Sequence, residues 1–263
     1  MDTLQLVLLA LIQGITEFLP ISSSGHLILP SEILGWQDQG LAFDVAVHVG
    51  SLLAVLGYFR NDIVTLIRAW FGSLNGPSNA DSRLAWYVIW ATVPAGLAGL
   101  VFNDFIEQNL RTVAVIAATT MFFGILLGLA DWKGRGQTSL QTMGWRQALL
   151  IGCAQALALI PGTSRSGITI TAALALGLER QAAARFSFLL SIPLITLSGG
   201  YKALELLGQD SIAWADIFLG ILVAAISAAV CIHLFLKWID RMGMWPFVVY
   251  RLVLGAWLFS LAF

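Results

Sequence analysis

Two runs of this chain, residues 84–102 and 112–130, carry no charged side chain. A helix needs about 20 predominantly apolar residues to cross the hydrocarbon of a bilayer, and both runs are long enough. Residues 217–236 fit the same template with His233 as the one titratable group, and residues 245–263 fit it despite Arg251 near the middle. Two shorter runs, 43–59 and 186–201, can span if they tilt or if the bilayer thins around them. Six spans are therefore expected. Of the 263 residues, 58% are hydrophobic and 11% charged, against about 25% charged in an average soluble domain.

A water-soluble fold of this size could not hide so much apolar surface. Disorder is excluded for the same reason, and 14 Lys and Arg against 15 Asp and Glu exclude a basic nucleic-acid binder. Cys153 and Cys231 sit inside apolar runs with no CxxC or Cys/His spacing, so neither a disulfide framework nor a zinc site is expected. Asp2, and the lack of a positive stretch before Leu4, argue against a cleaved signal peptide. Tryptophans such as Trp86, Trp90, Trp214 and Trp245 read as interfacial anchors.

Loop charge orients the spans. If 43–59 runs outside to inside, the inner connections 60–83, 131–146 and 237–244 hold eight cations: Arg60, Arg68, Arg83, Lys133, Arg135, Arg146, Lys237 and Arg241. The outer connections 103–111 and 202–216 hold Arg111 and Lys202, with Asp104, Glu107, Glu205, Asp210 and Asp216. The excess of cations fixes the expected orientation.

Two further apolar stretches are broken. Residues 4–29 are interrupted by Glu17, Pro20, Ser22, Ser23, Ser24 and Gly25, and residues 148–178 by Pro161, Gly162, Ser164, Arg165, Ser166 and Gly167. Polar, non-helical backbone survives at membrane depth only when buried in protein or lining a wet cavity. Both stretches read as re-entrant helix–loop–helix hairpins. Laid on one another with a shift of 142, they match Gln13/Gln155, Ser22/Ser164, Ser24/Ser166 and Gly25/Gly167. The matched units run in opposite directions through the membrane, as in inverted-topology repeats whose broken helices meet at the midplane. The expected architecture is an all-α polytopic membrane protein of one domain, with six spans and two hairpins. Repeat one covers about 1–130 and repeat two about 145–263.

The first tip supplies Gln13, Glu17, Ser22, Ser23, Ser24 and His26, and the second Thr163, Ser164, Arg165, Ser166 and Thr169. Gln13 and Glu17, four apart, share a helical face. A Ser/Gly-rich turn opening a helix turns N–H groups toward an anion, and Arg165 adds a fork matched to phosphate oxygens. Glu17 beside an Arg-bound phosphate calls for a divalent cation, Mg²⁺ or Ca²⁺, held by the carboxylate and phosphate oxygens. The tips read as a phosphate-ester site inside the bilayer. Burial of Glu17 or Arg165 is costly, which makes a functional role their default reading. Ser22 and Ser31 could equally be packing devices, the i,i+4 pair Asp44 and His48 reads as structural, and Arg251 snorkels or counters a carboxylate.

The runs Gln13-Gly-Ile-Thr-Glu17-Phe-Leu-Pro-Ile-Ser-Ser-Ser-Gly-His26 and Pro161-Gly-Thr-Ser-Arg-Ser-Gly-Ile-Thr169 resemble the two signature regions of the undecaprenyl-diphosphate phosphatases. These are bacterial integral-membrane enzymes associated with bacitracin resistance. The first run resembles that family's [E/Q]xxxE element with its Ser/Gly/His turn, the second its PGxSRSxxT element. The resemblance covers essentially the whole chain and implies the same six-span, two-hairpin fold. It also implies hydrolysis of undecaprenyl diphosphate to undecaprenyl phosphate and inorganic phosphate, which recycles the lipid carrier for wall polymers. The membrane implied is the bacterial inner membrane, with the site facing the periplasm; homodimerisation stays open.

Carried over by position, Glu17 fills the second acidic place and Gln13 the place where the family takes Glu or Gln, which removes one potential metal-binding carboxylate. Ser23 and His26 match the turn; Ser164, Arg165 and Thr169 match the second motif. The expected catalytic set is Ser23, His26, Glu17 and Arg165, with Ser164, Arg165, Thr169, Ser166 and Gln13 binding substrate. Ser23 is the expected nucleophile with His26 as base, while attack by His26 or by water stays open. The rival from another class is a transporter or flippase of a polyprenyl phosphate using the same site, since inverted repeats with broken helices are transporter architecture. Ser24-Gly25-His26 also resembles the PSGH-like turn of a second lipid-phosphatase superfamily. Its downstream His, Asp and Lys-x₆-Arg-Pro elements are absent, with Thr171 near the place of the His.

Overall fold

The computed structural model describes residues 2–36, 40–134, 136–206 and 213–262. Arg135 and Asp210, named above for loop charge, lie outside the described residues, as do the side chains of Ser24, Ser31, Glu107 and Glu205. The described chain is helical throughout. Its only β-type contact is an isolated bridge between Thr138 and Leu178.

All six expected spans are present as helices long and apolar enough to cross a membrane. They are α3 (Gly40–Tyr58), α5 (Ala80–Asn109), α6 (Val113–Lys133), α9 (Arg180–Leu206), α10 (Trp214–Met242) and α11 (Trp245–Ala262). Several outrun the apolar windows read from sequence, because a helix continues past the hydrocarbon until a cap stops it. α5 starts at a reciprocal cap in which Asn79 Oδ1 accepts from Ser82 N–H and Ser82 Oγ accepts from Asn79 N–H, both at 2.8 Å. The connection 60–83 contains a further helix, α4 (Arg60–Ser73), with no buried residue and with Val64, Ile67 and Phe71 exposed along one side.

The two broken stretches are helix–break–helix units. In the first, α1 (Thr3–Phe18) leads into α2 (Ser23–Leu34); in the second, α7 (Trp145–Ala156) passes through a 3₁₀ turn at Leu157–Leu159 into α8 (Arg165–Ala175). Ser22 (φ 75°) and Ser164 (φ 70°) are the only non-glycine residues with positive φ among the described residues. They hold matched places in the two units. Each caps the helix that follows: Ser22 Oγ accepts from Gly25 N–H at 3.4 Å, and Ser164 Oγ from Gly167 N–H at 3.1 Å.

The break-bearing helices pack on the long spans. α1 lies against α10 and α7 against α5, while α3 and α9 fill the centre between them. Small residues set these distances. A Cβ on Gly14 of α1 would run into Ser227 Oγ, and it would stand 2.6 Å from the Ala224 carbonyl oxygen of α10. One on Gly152 of α7 would stand 2.6 Å from Ala91 Cα on α5. Behind the breaks sits an aromatic core. Phe18 meets Phe188 edge-on at 5.2 Å, so the end of α1 is seated on α9.

Candidate functional site

The two breaks meet. Glu17, in the last turn of α1, and Arg165, the first residue of α8, form an ion pair with Nη2 3.3 Å from Oε1. Ser166 Oγ donates to the Leu19 carbonyl at 2.7 Å, tying the second break to the first. Glu17 is 8% exposed, so the pair is largely shielded from solvent.

Both carboxylate oxygens of Glu17 are engaged. Oε2 accepts from Gln13 Nε2 at 2.9 Å and from Ser23 Oγ at 2.9 Å. Gln13 reaches it because i,i+4 residues stand one turn apart; Ser23 reaches it because the break turns α2 back toward the end of α1. His48 Nε2, from α3, stands 4.0 Å from the same oxygen. His48 Nδ1–H donates to the Asp44 main-chain carbonyl at 2.7 Å, so the expected Asp44–His48 pairing is to backbone.

Arg165 is held from three sides. Nη2 donates to Glu17, Nη1 donates to the Ser187 carbonyl at 3.0 Å, and the guanidinium lies 5.8 Å from the centre of the Phe18 ring. Its Nε is buried with no partner. Thr169 Oγ1 stands 2.7 Å from Ser187 Oγ, and Ser164 Oγ 3.2 Å from Ser166 Oγ. The first turns of α2 and α8 open at these side chains. A helix's first N–H groups have no partner within the helix, so both openings present donors to an anion.

Gln13, Glu17, Ser23, Ser164, Arg165, Ser166 and Thr169 thus belong to one hydrogen-bonded assembly. His26 stands apart from it. Nδ1 lies 2.6 Å from the Ser22 carbonyl and Nε2 2.5 Å from the Tyr250 hydroxyl, so the structure brings Ser23 to Glu17 and not to His26. Three contributors escaped the sequence reading: Tyr250, Ser187 and the proximity of His48 to Glu17. Tyr250 and Ser187 lie inside spans, and their only signal is polarity in an apolar run. Arg251 neither snorkels nor faces a carboxylate. It is fully buried and donates to main-chain carbonyls of Pro20 at 3.2 Å, Gly162 at 3.0 Å, Thr163 at 3.0 Å, Thr120 at 3.0 Å and Thr119 at 3.5 Å. One guanidinium therefore clamps both breaks to α6.

Among the described residues no three His, Cys, Asp or Glu side chains cluster as a metal cage. Among the described residues, Glu17 is the carboxylate hydrogen-bonded within the assembly. Mg²⁺ in particular is commonly held by one or two carboxylates together with substrate phosphates, and this donor set fits a divalent cation on those terms only.

Six apolar spans around a shielded carboxylate–guanidinium pair with hydroxyls and two helix starts define a multi-pass membrane protein with a polar assembly inside it. The match to known proteins is specific. Residues 6–257 fit the family model described as bacitracin resistance protein BacA, and the chain belongs to that family. It is 64% identical to the undecaprenyl-diphosphatase of Saccharophagus degradans, over 99% of this chain and 98% of that one. It is 62% identical to that of Teredinibacter turnerae, over 98% and 99%. With undecaprenyl-diphosphatase 1 of Pseudoalteromonas translucida it shares 56% identity over 97% of each chain.

Proposed function

We propose that this chain hydrolyses undecaprenyl diphosphate to undecaprenyl phosphate and inorganic phosphate, which recycles the lipid carrier for the bacterial wall and confers bacitracin resistance. The observation that carries the reading is the Glu17–Arg165 pair with Ser23 on the same carboxylate, assembled from two breaks at matched serines. The two helix–break–helix units are re-entrant hairpins of an inverted repeat. The reciprocal packing of α1 on α10 and α7 on α5 supports this. The protein sits in the bacterial inner membrane with its cation-rich connections on the inner side, and the site faces the periplasm, as the family resemblance implies.

Arg165 and the first turns of α2 and α8 hold the diphosphate, with Ser164, Ser166 and Thr169 shaping that cradle. Glu17, with the diphosphate oxygens, would hold Mg²⁺ or Ca²⁺, whose charge offsets that of the phosphates when bound. Ser23 Oγ attacks the terminal phosphorus. Its proton passes to Glu17, to which it already donates, and the bond from phosphorus to the bridging oxygen breaks, releasing undecaprenyl phosphate. Water then attacks the phosphoserine and gives a proton to His26. The P–Oγ bond breaks and Oγ recovers its proton from Glu17. His26 returns its proton to the departing phosphate.

The test is release of inorganic phosphate from a polyprenyl diphosphate by the purified protein, with and without EDTA, beside Arg165→Ala. Release that requires both the cation and Arg165 is expected. No release by folded wild-type protein across several divalent ions would overturn the reading, and a lipid-carrier transport assay would then decide for the flippase.

A further inference from the structure

His26 is the one proposed catalytic group outside the Glu17–Arg165 assembly, and its surroundings come from the far end of the chain. Nδ1 lies 2.6 Å from the Ser22 carbonyl. A carbonyl only accepts, so the proton of a neutral ring is on Nδ1 and the lone pair is on Nε2. Nε2 is 2.5 Å from the Tyr250 hydroxyl of α11, and the two rings lie parallel within 8° at a centroid distance of 5.5 Å. Tyr250 is held in register by its neighbour Arg251, which clamps both breaks.

A hydroxyl such as the Tyr250 phenol suits both states of this ring. It donates to Nε2 when the imidazole is neutral and accepts from Nε2–H when it is charged. A carbonyl or an ammonium would suit only one.

We propose that Tyr250 is the positioning residue and proton relay of His26. It holds the ring in its Nδ1–H form and carries protons between Nε2 and the reacting water. In the forward step a water O–H breaks and its proton goes to the phenolic oxygen. The phenol's own proton moves to Nε2, leaving a neutral phenol, an imidazolium and a hydroxide that attacks phosphorus. The reverse transfer resets the pair. This rests on the phosphatase reading of the site.

The test uses the full-length protein in detergent: wild type, Tyr250→Phe, His26→Ala and the double variant. Phenylalanine keeps the stacked ring and removes only the hydroxyl. Loss of one such bond at the working nitrogen is expected to lower kcat about tenfold or more with KM nearly unchanged. In the His26→Ala background the same change should add nothing, because the phenol acts through the imidazole. A loss of equal size in both backgrounds would overturn the proposal and assign Tyr250 a packing role.

A second readout is independent of catalysis. The protein has three histidines, so ¹⁵N-histidine NMR resolves His26 by its disappearance in His26→Ala. Wild type should show a protonated Nδ1 and an unprotonated, hydrogen-bonded Nε2, and Tyr250→Phe should mix the tautomers. An unchanged His26 signature in Tyr250→Phe would defeat the proposal even if activity fell. Full activity of His26→Ala would instead remove the acid–base role of His26 itself.

Discussion

Replacing Arg251 by methionine keeps most of the side-chain volume and removes every donor. Four carbonyls, those of Pro20, Gly162, Thr163 and Thr120, lose a bond of 3.2 Å or shorter, and the Thr119 contact at 3.5 Å adds little. A buried acceptor left without a partner costs about 1–3 kcal/mol. Thr120 keeps its bond within α6 and Gly162 its bond from Thr120 Oγ1, so the two left bare, Pro20 and Thr163, sum to roughly 2–6 kcal/mol, offset in part because a buried guanidinium no longer has to be desolvated. A net loss of about 2–3 kcal/mol follows, a sizeable part of the ~5–15 kcal/mol that holds a typical domain folded. Lysine keeps the charge but has three donors from one point, and recovers about half of the loss. Reversible unfolding in mixed micelles against rising SDS fraction reads the difference directly. Where refolding fails, the half-life at fixed temperature reads it instead. If Arg251→Met unfolds within about 1 kcal/mol of wild type, the clamp carries no stability and the reasoning from orphaned carbonyls is wrong.

Glu17→Gln keeps an acceptor for Ser23 but leaves Arg165 without its carboxylate; phosphate release should fall about 100-fold or more while the protein stays monodisperse, and a loss under about threefold would refute the role given to the charge. Ser164 combines a positive φ with a cap, so Ser164→Gly, which suits the backbone and loses the cap, should stay within about 0.5 kcal/mol of wild type in the same SDS titration. Ser164→Ala keeps the strain already present and loses the cap, and should cost about 1 kcal/mol. Gly152→Ala would press on the backbone of Ala91, which cannot give way as a side chain would, so a loss of about 2–3 kcal/mol is expected. An unchanged transition there would mean that α5 and α7 approach less closely than described.

The spans were legible because bilayer thickness imposes a length that apolar runs either meet or miss, and the breaks because Ser, Gly and Pro at membrane depth need a reason. Glu17 and Arg165 stood out for the same cause, since their burial is expensive, and Gln13 through its place one turn before Glu17. What sequence could not reveal is pairing across distance. Ser23 and His26, three apart at a helix start, looked like a nucleophile and its base. The break instead turns Ser23 back to Glu17, while His26 pairs with a tyrosine 224 residues away. Arg251 stood out as a charge in a span, but its partners are main-chain carbonyls, which every residue carries and no pattern marks.

The matched breaks share a frame but not a chemistry. Under the shift that lays Ser22 on Ser164, Glu17 falls on Leu159, Ser23 on Arg165 and His26 on Ile168. The capped serine, its positive φ and the glycine three residues on are common to both, so each unit opens its helix toward the same place. Gln13 and Gln155 record the divergence. Gln13 donates to Glu17 one turn later, whereas Gln155, with Leu159 one turn later, is fully buried with neither amide atom partnered. Two copies of one chemistry would set carboxylate against carboxylate, or guanidinium against guanidinium, where little water screens them. Dividing the groups gives a pair that neutralises itself at rest. In the reaction proposed above, an arriving diphosphate would compete with Glu17 for Arg165, and that competition would leave the Glu17 charge to the Ser23 proton.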